Sequence, residues 1–129
     1  MTITLPIYYT QTFKTKPSKT FLVADNWLRN SHYHLKNKVK THYHELVLNQ
    51  TFQMHKLTTF TIHYKLYYKN PSSDPSNIIH CIEKFILDGL QESGVLTNDN
   101  VKFHLKGSWE VVGQDKLDPR IEAEISAIP

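Results

Sequence analysis

The sequence predicts an α/β (α+β) domain: a mixed sheet of about four strands covered by two helices, in the order β-α-β-α-β-β. Three stretches carry this prediction. Residues 57–69 alternate Phe60, Ile62, Tyr64, Leu66 and Tyr68 with Thr59, Thr61, His63, Lys65, Tyr67 and Lys69, the period of a half-buried strand. Ile78, Ile82, Phe85, Ile86, Gly89 and Leu90 recur at helical spacing. Val101, Phe103 and Leu105 alternate with Lys102, His104 and Lys106, and R-I-E-A-E-I (120–125) alternates again.

Taken in order, residues 2–9 read as a first strand that Pro6 confines to an edge or an end. Residues 10–20 are polar, basic and without period, hence a loop, and F-L-V-A (21–24) is a short extended piece. Asp25 or Asn26 can cap a helix running from Trp27 to about Leu48, with Leu28, Leu35, Val39, Tyr43, Leu46 and Val47 near one face. After the strand at 57–69, N-P-S-S-D-P-S (70–76) is a turn. Asp74 can cap the next helix, and Pro75 suits its first position because the missing N–H is not needed there. Gly94 sits where the chain must leave that helix. Q-D-K-L-D-P (114–119) is a loop before the last strand. Repeats, low-complexity tracts and linkers are absent, so residues 1–129 read as one domain.

Composition narrows the class. The chain is 40% hydrophobic and 21% charged, ordinary for a globular protein. Its apolar runs fall short of the roughly 20 residues of a membrane span. The start M-T-I-T-L-P lacks a basic segment leading an apolar one, so the expected location is cytoplasmic. Cys81 is the sole cysteine, which excludes an internal disulfide framework and fits a buried, inert thiol.

The net charge of +3 hides an asymmetry. Residues 1–70 hold ten Lys/Arg against two acids, and residues 71–129 hold five against ten. A basic half suits a polyanion such as DNA, although a solvated lysine-rich helix and loop reads equally well. Candidate DNA contacts are Lys14, Lys16 and Lys19 in the loop and Arg29, Lys36, Lys38 and Lys40 in the helix. The two H-Y-H triplets (32–34 and 42–44) do not make a zinc site, because helical residues two apart point about 200° apart. Trp27, Tyr67 and Tyr68 read as core residues rather than as wedges for a branched strand.

Chemistry concentrates around the second helix. Asp74 and Asp99 lie on polar turns at its two sides, with Asn77, Cys81, Lys84 and Asp88 on one stripe between them. Carboxylates on turns bind Mg²⁺, which takes oxygen ligands and keeps waters that a phosphate can replace. Such an ion polarises a phosphodiester and activates water, and a nearby lysine offsets charge on the phosphate. The alternative is a helix cap at Asp74, an i, i+4 surface pair at Lys84 and Asp88, and a turn closed by Asp99. Asp74 and Asp99 meet only if neighbouring strands return the second turn over the helix start.

D-P-S-N (74–77), then K-F-I-L-D-G-L (84–90), then G-V-L-T-N-D-N (94–100) resembles the RusA-type Holliday junction resolvases, in particular the branch of Gram-positive bacteria and their phages. The family pattern is D-x-D-N, a helix with K-x-x-x-D-x-L, and a D-D turn. The front stretch N-W-L-R-N-S-H-Y-H-L-K-N-K-V-K and the tail G-Q-D-K-L-D-P-R-I-E-A-E-I are also similar to that branch, so the likeness covers nearly the whole chain.

The resemblance implies a RusA-like fold and a Mg²⁺-dependent homodimeric endodeoxyribonuclease, with Mn²⁺ as a substitute ion, that nicks four-way junctions symmetrically. A twofold enzyme suits a twofold junction. By position, Asp74 and Asp99 match metal-binding and catalytic aspartates, Asn77 the motif asparagine, and Lys84 the helix lysine. Two residues depart from the pattern. Ser76 stands where the family has its second aspartate, and Asn98 where it often has the first of the D-D pair. A hydroxyl binds Mg²⁺ far more weakly than a carboxylate. Either Asp88 or a water fills in as ligand, or the protein binds branched DNA and cuts it poorly. A third class is an interaction protein without a nucleic-acid role.

Overall fold

The computed structural model describes residues 1–97, 100 and 104–128, with the side chain of Leu105 outside that set. It is an α+β fold with a mixed four-stranded sheet, a two-stranded sheet and three helices. The elements are β1 (Thr2–Pro6), β2 (Tyr8–Gln11), β3 (Lys19–Leu22), α1 (Asp25–Asn30), α2 (Tyr33–Thr51), β4 (Thr59–Tyr68), α3 (Pro75–Glu92), β5 (His104–Gln114) and β6 (Arg120–Ile128).

The main sheet has the order β1-β6-β4-β5. β6 runs antiparallel to both β1 and β4, while β5 is parallel to β4 and is reached through α3. Alternation explains the register. Phe60, Ile62, Tyr64 and Leu66 of β4, Ile121, Ala123 and Ile125 of β6, and Ile3 and Leu5 of β1 all turn to one buried face. The opposite face is a polar ladder, with Lys65 Nζ 2.8 Å from Glu124 Oε1 and His63 Nδ1 2.7 Å from Ser108 Oγ.

α3 covers the buried face and α2 packs over α3 and β1. Nine of the eighteen residues of α3 are buried, leaving His80, Lys84, Asp88 and Glu92 as an exposed stripe. α2 buries only Val39, Tyr43, Val47 and Thr51, one residue per turn. Tyr43 stacks on Phe85 at 5.1 Å and donates its hydroxyl to the Pro6 carbonyl. Gly89 is required where the helices touch, since a Cβ there would lie 3.0 Å from the Val47 Cβ. Gly94 takes φ +80, the left-handed exit after α3.

The structure differs from the sequence reading in two places. The long first helix is two helices, broken at Ser31, which is extended (φ −86, ψ 150). Local polar side chains compete for the backbone there: Ser31 Oγ donates to Trp27 O at 2.7 Å and Asn30 Nδ2 to Asn26 O at 2.9 Å. The stretch read as one strand and a loop is β1 followed by a hairpin, with β2 and β3 paired antiparallel from Tyr8↔Leu22 to Gln11↔Lys19. Residues 101–103, read as the opening of a strand, lie outside the described residues. Among the described residues no helix is long and apolar enough to cross a membrane.

Candidate nucleic-acid interface and metal site

The turn after β4 is built by its own side chains. Asn70 Oδ1 accepts from Ser72 N at 3.0 Å and from Ser72 Oγ at 2.8 Å, and Ser73 N donates to Asn70 O at 3.1 Å. That turn delivers Asp74 to the N-cap of α3. Its Oδ1 accepts from Ser76 N at 3.0 Å and its Oδ2 from Asn77 Nδ2 at 3.2 Å, with Pro75 in the first turn. The carboxylate is exposed, and each oxygen keeps acceptor capacity beyond these bonds. Asn77 therefore orients Asp74, and Ser76 contributes its backbone N–H to the cap.

The rest of the stripe does not gather around Asp74. At 1.5 Å rise per residue, Lys84 stands about 15 Å and Asp88 about 21 Å along the axis from it. Both are exposed. Ligands of one Mg²⁺ each lie about 2.1 Å from the ion, so Asp88 and Asp74 of one chain do not share an ion. Asp99, with Asn98, lies outside the described residues. The flanking anchors are described: Leu96 bridges to Leu57 and His104 pairs with Phe60, both at the start of β4, whereas Asp74 follows its end.

A different acid approaches α3. Asp25, the first residue of α1, places Oδ2 3.9 Å from His80 Nδ1, one turn beyond Asn77. Cys81, beneath it, is buried, and burial chiefly, with Asp25 adding and Lys84 opposing, pushes its thiol up to about 12. It is an inert core thiol, as its mid-helix position suggested. Among the described residues there is no cluster of three or more His, Cys, Asp or Glu side chains arranged to hold a metal. Asp74, at the positive end of α3, offers one carboxylate there, with the Asn77 amide beside it. A Mg²⁺ site on this cradle needs a second carboxylate from outside residues 74–77.

The basic residues separate into two groups. Lys14 and Lys16 lie in the seven-residue tip of the β2–β3 hairpin and Lys19 opens β3, all exposed. The hairpin is fixed at its base: Tyr9 meets Phe21 at 5.7 Å, Phe21 stacks on Trp27 at 5.0 Å, and Thr10 and Thr20 share a 2.8 Å hydroxyl bond. Trp27 is thus a packing residue. Lys69 sits 5.4 Å above the Tyr8 ring, which brings the hairpin base against the start of the 69–74 turn. Lys38 borders the cleft between α2 and Tyr9 and belongs to this group. Lys36 and Lys40, one turn apart, face elsewhere, Lys40 lining the cleft toward the C-terminal half of α3. Arg29 is held by Asn26 Oδ1 at 2.7 Å on α1. Tyr67 carries the Arg120 guanidinium 3.9 Å from its ring centroid, and Tyr68 lines the cleft beside Pro75.

Sequence reasoning missed Lys69, Asp25 and His80. The position of Lys69 directly before the Asp74 turn was a usable signal for the first. Nothing in the pattern pairs the other two, which lie 55 residues apart. No protein-family model matches this chain and no curated protein matches it, so the functional reading rests on its residues and geometry.

Proposed function

We propose that this protein is a Mg²⁺-dependent, RusA-type endodeoxyribonuclease that resolves four-way DNA junctions by paired symmetric nicks and works as a homodimer in the cytoplasm. One observation carries the reading. An exposed carboxylate, oriented by Asn77 at the opening of α3, lies at the end of the sheet where Lys69 meets the base of the lysine-bearing hairpin. A DNA strand drawn in by Lys14, Lys16, Lys19, Lys38 and Lys69 passes Asp74. Bound there, Mg²⁺ would activate water and stabilise the leaving oxygen of a phosphodiester. Asp74 of one copy and Asp99 of the other would hold it, with Asn77 keeping Asp74 aimed and Lys84 steadying the DNA backbone farther along α3.

The test is a synthetic four-way junction incubated with Mg²⁺ or Mn²⁺. Symmetric nicking that disappears in Asp74→Asn and in Asp99→Asn is the expected result. Absence of nicking by the wild type, or nicking that survives both substitutions, would overturn it.

Ser76 favours a second reading, a branched-DNA binder that cuts weakly. Ser76 stands at the sequence position to which the resemblance assigns a second carboxylate. That reading expects tight, salt-sensitive junction binding without cleavage, and a gain of metal affinity in Ser76→Asp. An unchanged metal affinity in Ser76→Asp would dismiss it.

A further inference from the structure

The β2–β3 hairpin carries one aromatic ring out into solvent. From Met1 to Ala24 the chain holds three lysines and no acid, and all three, Lys14, Lys16 and Lys19, lie in or beside the hairpin tip. Among them, in T-F-K-T-K-P-S-K (12–19), stands Phe13. The other aromatic residues of the hairpin, Tyr8, Tyr9 and Phe21, pack against the core. Phe13 is 41% exposed, and Lys16 Nζ lies 6.0 Å from its ring centroid.

The tip is presented on a fixed base. Its strands pair from Tyr8↔Leu22 to Gln11↔Lys19, and Phe21 stacks on Trp27. Tyr9 also meets His42 of α2 edge-on at 5.3 Å. Lys69, just before the Asp74 turn, contacts the Tyr8 ring at that base. At about 3.4 Å per residue, the chain from Tyr8 carries Phe13 at most about 17 Å outward. Bases of a stacked strand repeat about every 3.4 Å, so the ring reaches bases within about five nucleotides of the Lys69 contact.

A lone exposed apolar side chain is ordinary on a protein surface, and what sets Phe13 apart is its company. Lysines hold a phosphate backbone whatever its form, whereas an aromatic ring gains only where a base shows its flat face. Bases show their faces where pairing is interrupted, as at the branch point of a junction. An anionic membrane also attracts lysines, but binding there scales with buried apolar area, of which one ring supplies little.

We propose that Phe13 stacks on an unpaired base at the branch point, with Lys14, Lys16 and Lys19 on the flanking phosphates, and so makes the protein prefer branched DNA to duplex. The proposal deepens the junction-resolvase reading and rests on it for the identity of the DNA.

Equilibrium binding without divalent metal tests it, so that cleavage plays no part. The probes are a synthetic four-way junction, the linear duplex of one of its arms, and an oligothymidine strand. The wild type is expected to prefer the junction and the single strand to the duplex. Phe13→Ala should weaken binding to those two by about ten-fold and leave duplex affinity within about two-fold. Phe13→Leu, apolar but not flat, should fall as far, whereas Phe13→Trp should keep the preference. The single strand should also quench the added tryptophan emission of Phe13→Trp, beyond any change that Trp27 and Trp109 show in the wild type. That optical reading decides the matter if the alanine variant fails to fold. Equal loss on all three DNAs, or a junction preference that survives both Phe13→Ala and Phe13→Leu, would overturn the proposal. So would binding to phosphatidylserine vesicles that Phe13→Ala abolishes while DNA affinities stay unchanged. A missing ring effect in a protein that nicks junctions leaves the resolvase reading standing. A clear ring effect in a protein that never nicks leaves the stacking standing alone.

Discussion

α2 and α3 are nearly equal in length, 19 and 18 residues, yet they bury four and nine side chains. α3 lies directly on the sheet and shows solvent one stripe. α2 lies outside it, holds on by one residue per turn, and exposes His34, Lys38 and Lys40. The difference separates stability from recognition. Asp74 is held in place because it caps a helix whose opposite face is locked into the core. The cations of α2 are free to meet a partner because little of the fold depends on them.

Substitutions on the two helices should therefore diverge, and the largest effect belongs to the buried face of α3. Ile82→Ala, at a fully buried position, is expected to cost about 2–5 kcal/mol in denaturant unfolding. Gly89→Val pushes a branched side chain into Val47 and should cost about 1–3 kcal/mol, with Val47→Ala recovering part of it. Asp74→Ala removes the cap and should cost about 1 kcal/mol while abolishing junction nicking. A stability loss of that size with nicking intact would detach the cap from the catalysis. On α2, Lys38→Ala should leave stability within about 0.5 kcal/mol and lower the salt slope of junction binding by roughly one.

The pH response sharpens the same contrast. Burial holds the Tyr43 and Tyr64 hydroxyls far above the ordinary tyrosine value of 10.0 and the Cys81 thiol above its usual 9.0. These groups stay protonated in the folded chain after the unfolded chain ionises. Their contribution is therefore complete below about pH 9 and declines as pH rises beyond the unfolded values. Unfolding on the alkaline side should start there, and Tyr64→Phe should blunt it. Asp115 behaves oppositely. The backbone N–H of Asp118 and then the Arg120 guanidinium hold its carboxyl below the ordinary 3.8, so what it adds is present above that value and lost in acid. Asp115→Asn should remove part of the acid-side change only.

Much of the fold was legible because its longest elements obey a single period. β4 alternates without interruption, and α3 carries its cap, its N-terminal proline and its exit glycine in sequence. The hairpin was not legible. Its four-residue strands lack apolar alternation, and it is held by Phe21 on Trp27 and Tyr9 on His42, contacts that a local pattern does not reveal. The break at Ser31 followed from side chains bonding to carbonyls four residues back, which helical periodicity does not register. At the site, the cap geometry of Asp74 and Asn77 was readable. The expectation that Asp88 fills in as a ligand beside Asp74 fails, because the helical rise sets it about 21 Å away along α3. The approach of Asp25 to His80 was not readable, because it depends on how α1 meets α3.

The central claim is that Asp74 and Asp99 hold one divalent ion beside the DNA path. A crystal of the full chain soaked in Mn²⁺, with the ion located by its anomalous scattering, tests it most directly. The expected result is a manganese bound by both carboxylates at about 2.1–2.2 Å. Density held by only one of the two aspartates, or no ion at the opening of α3, would contradict it.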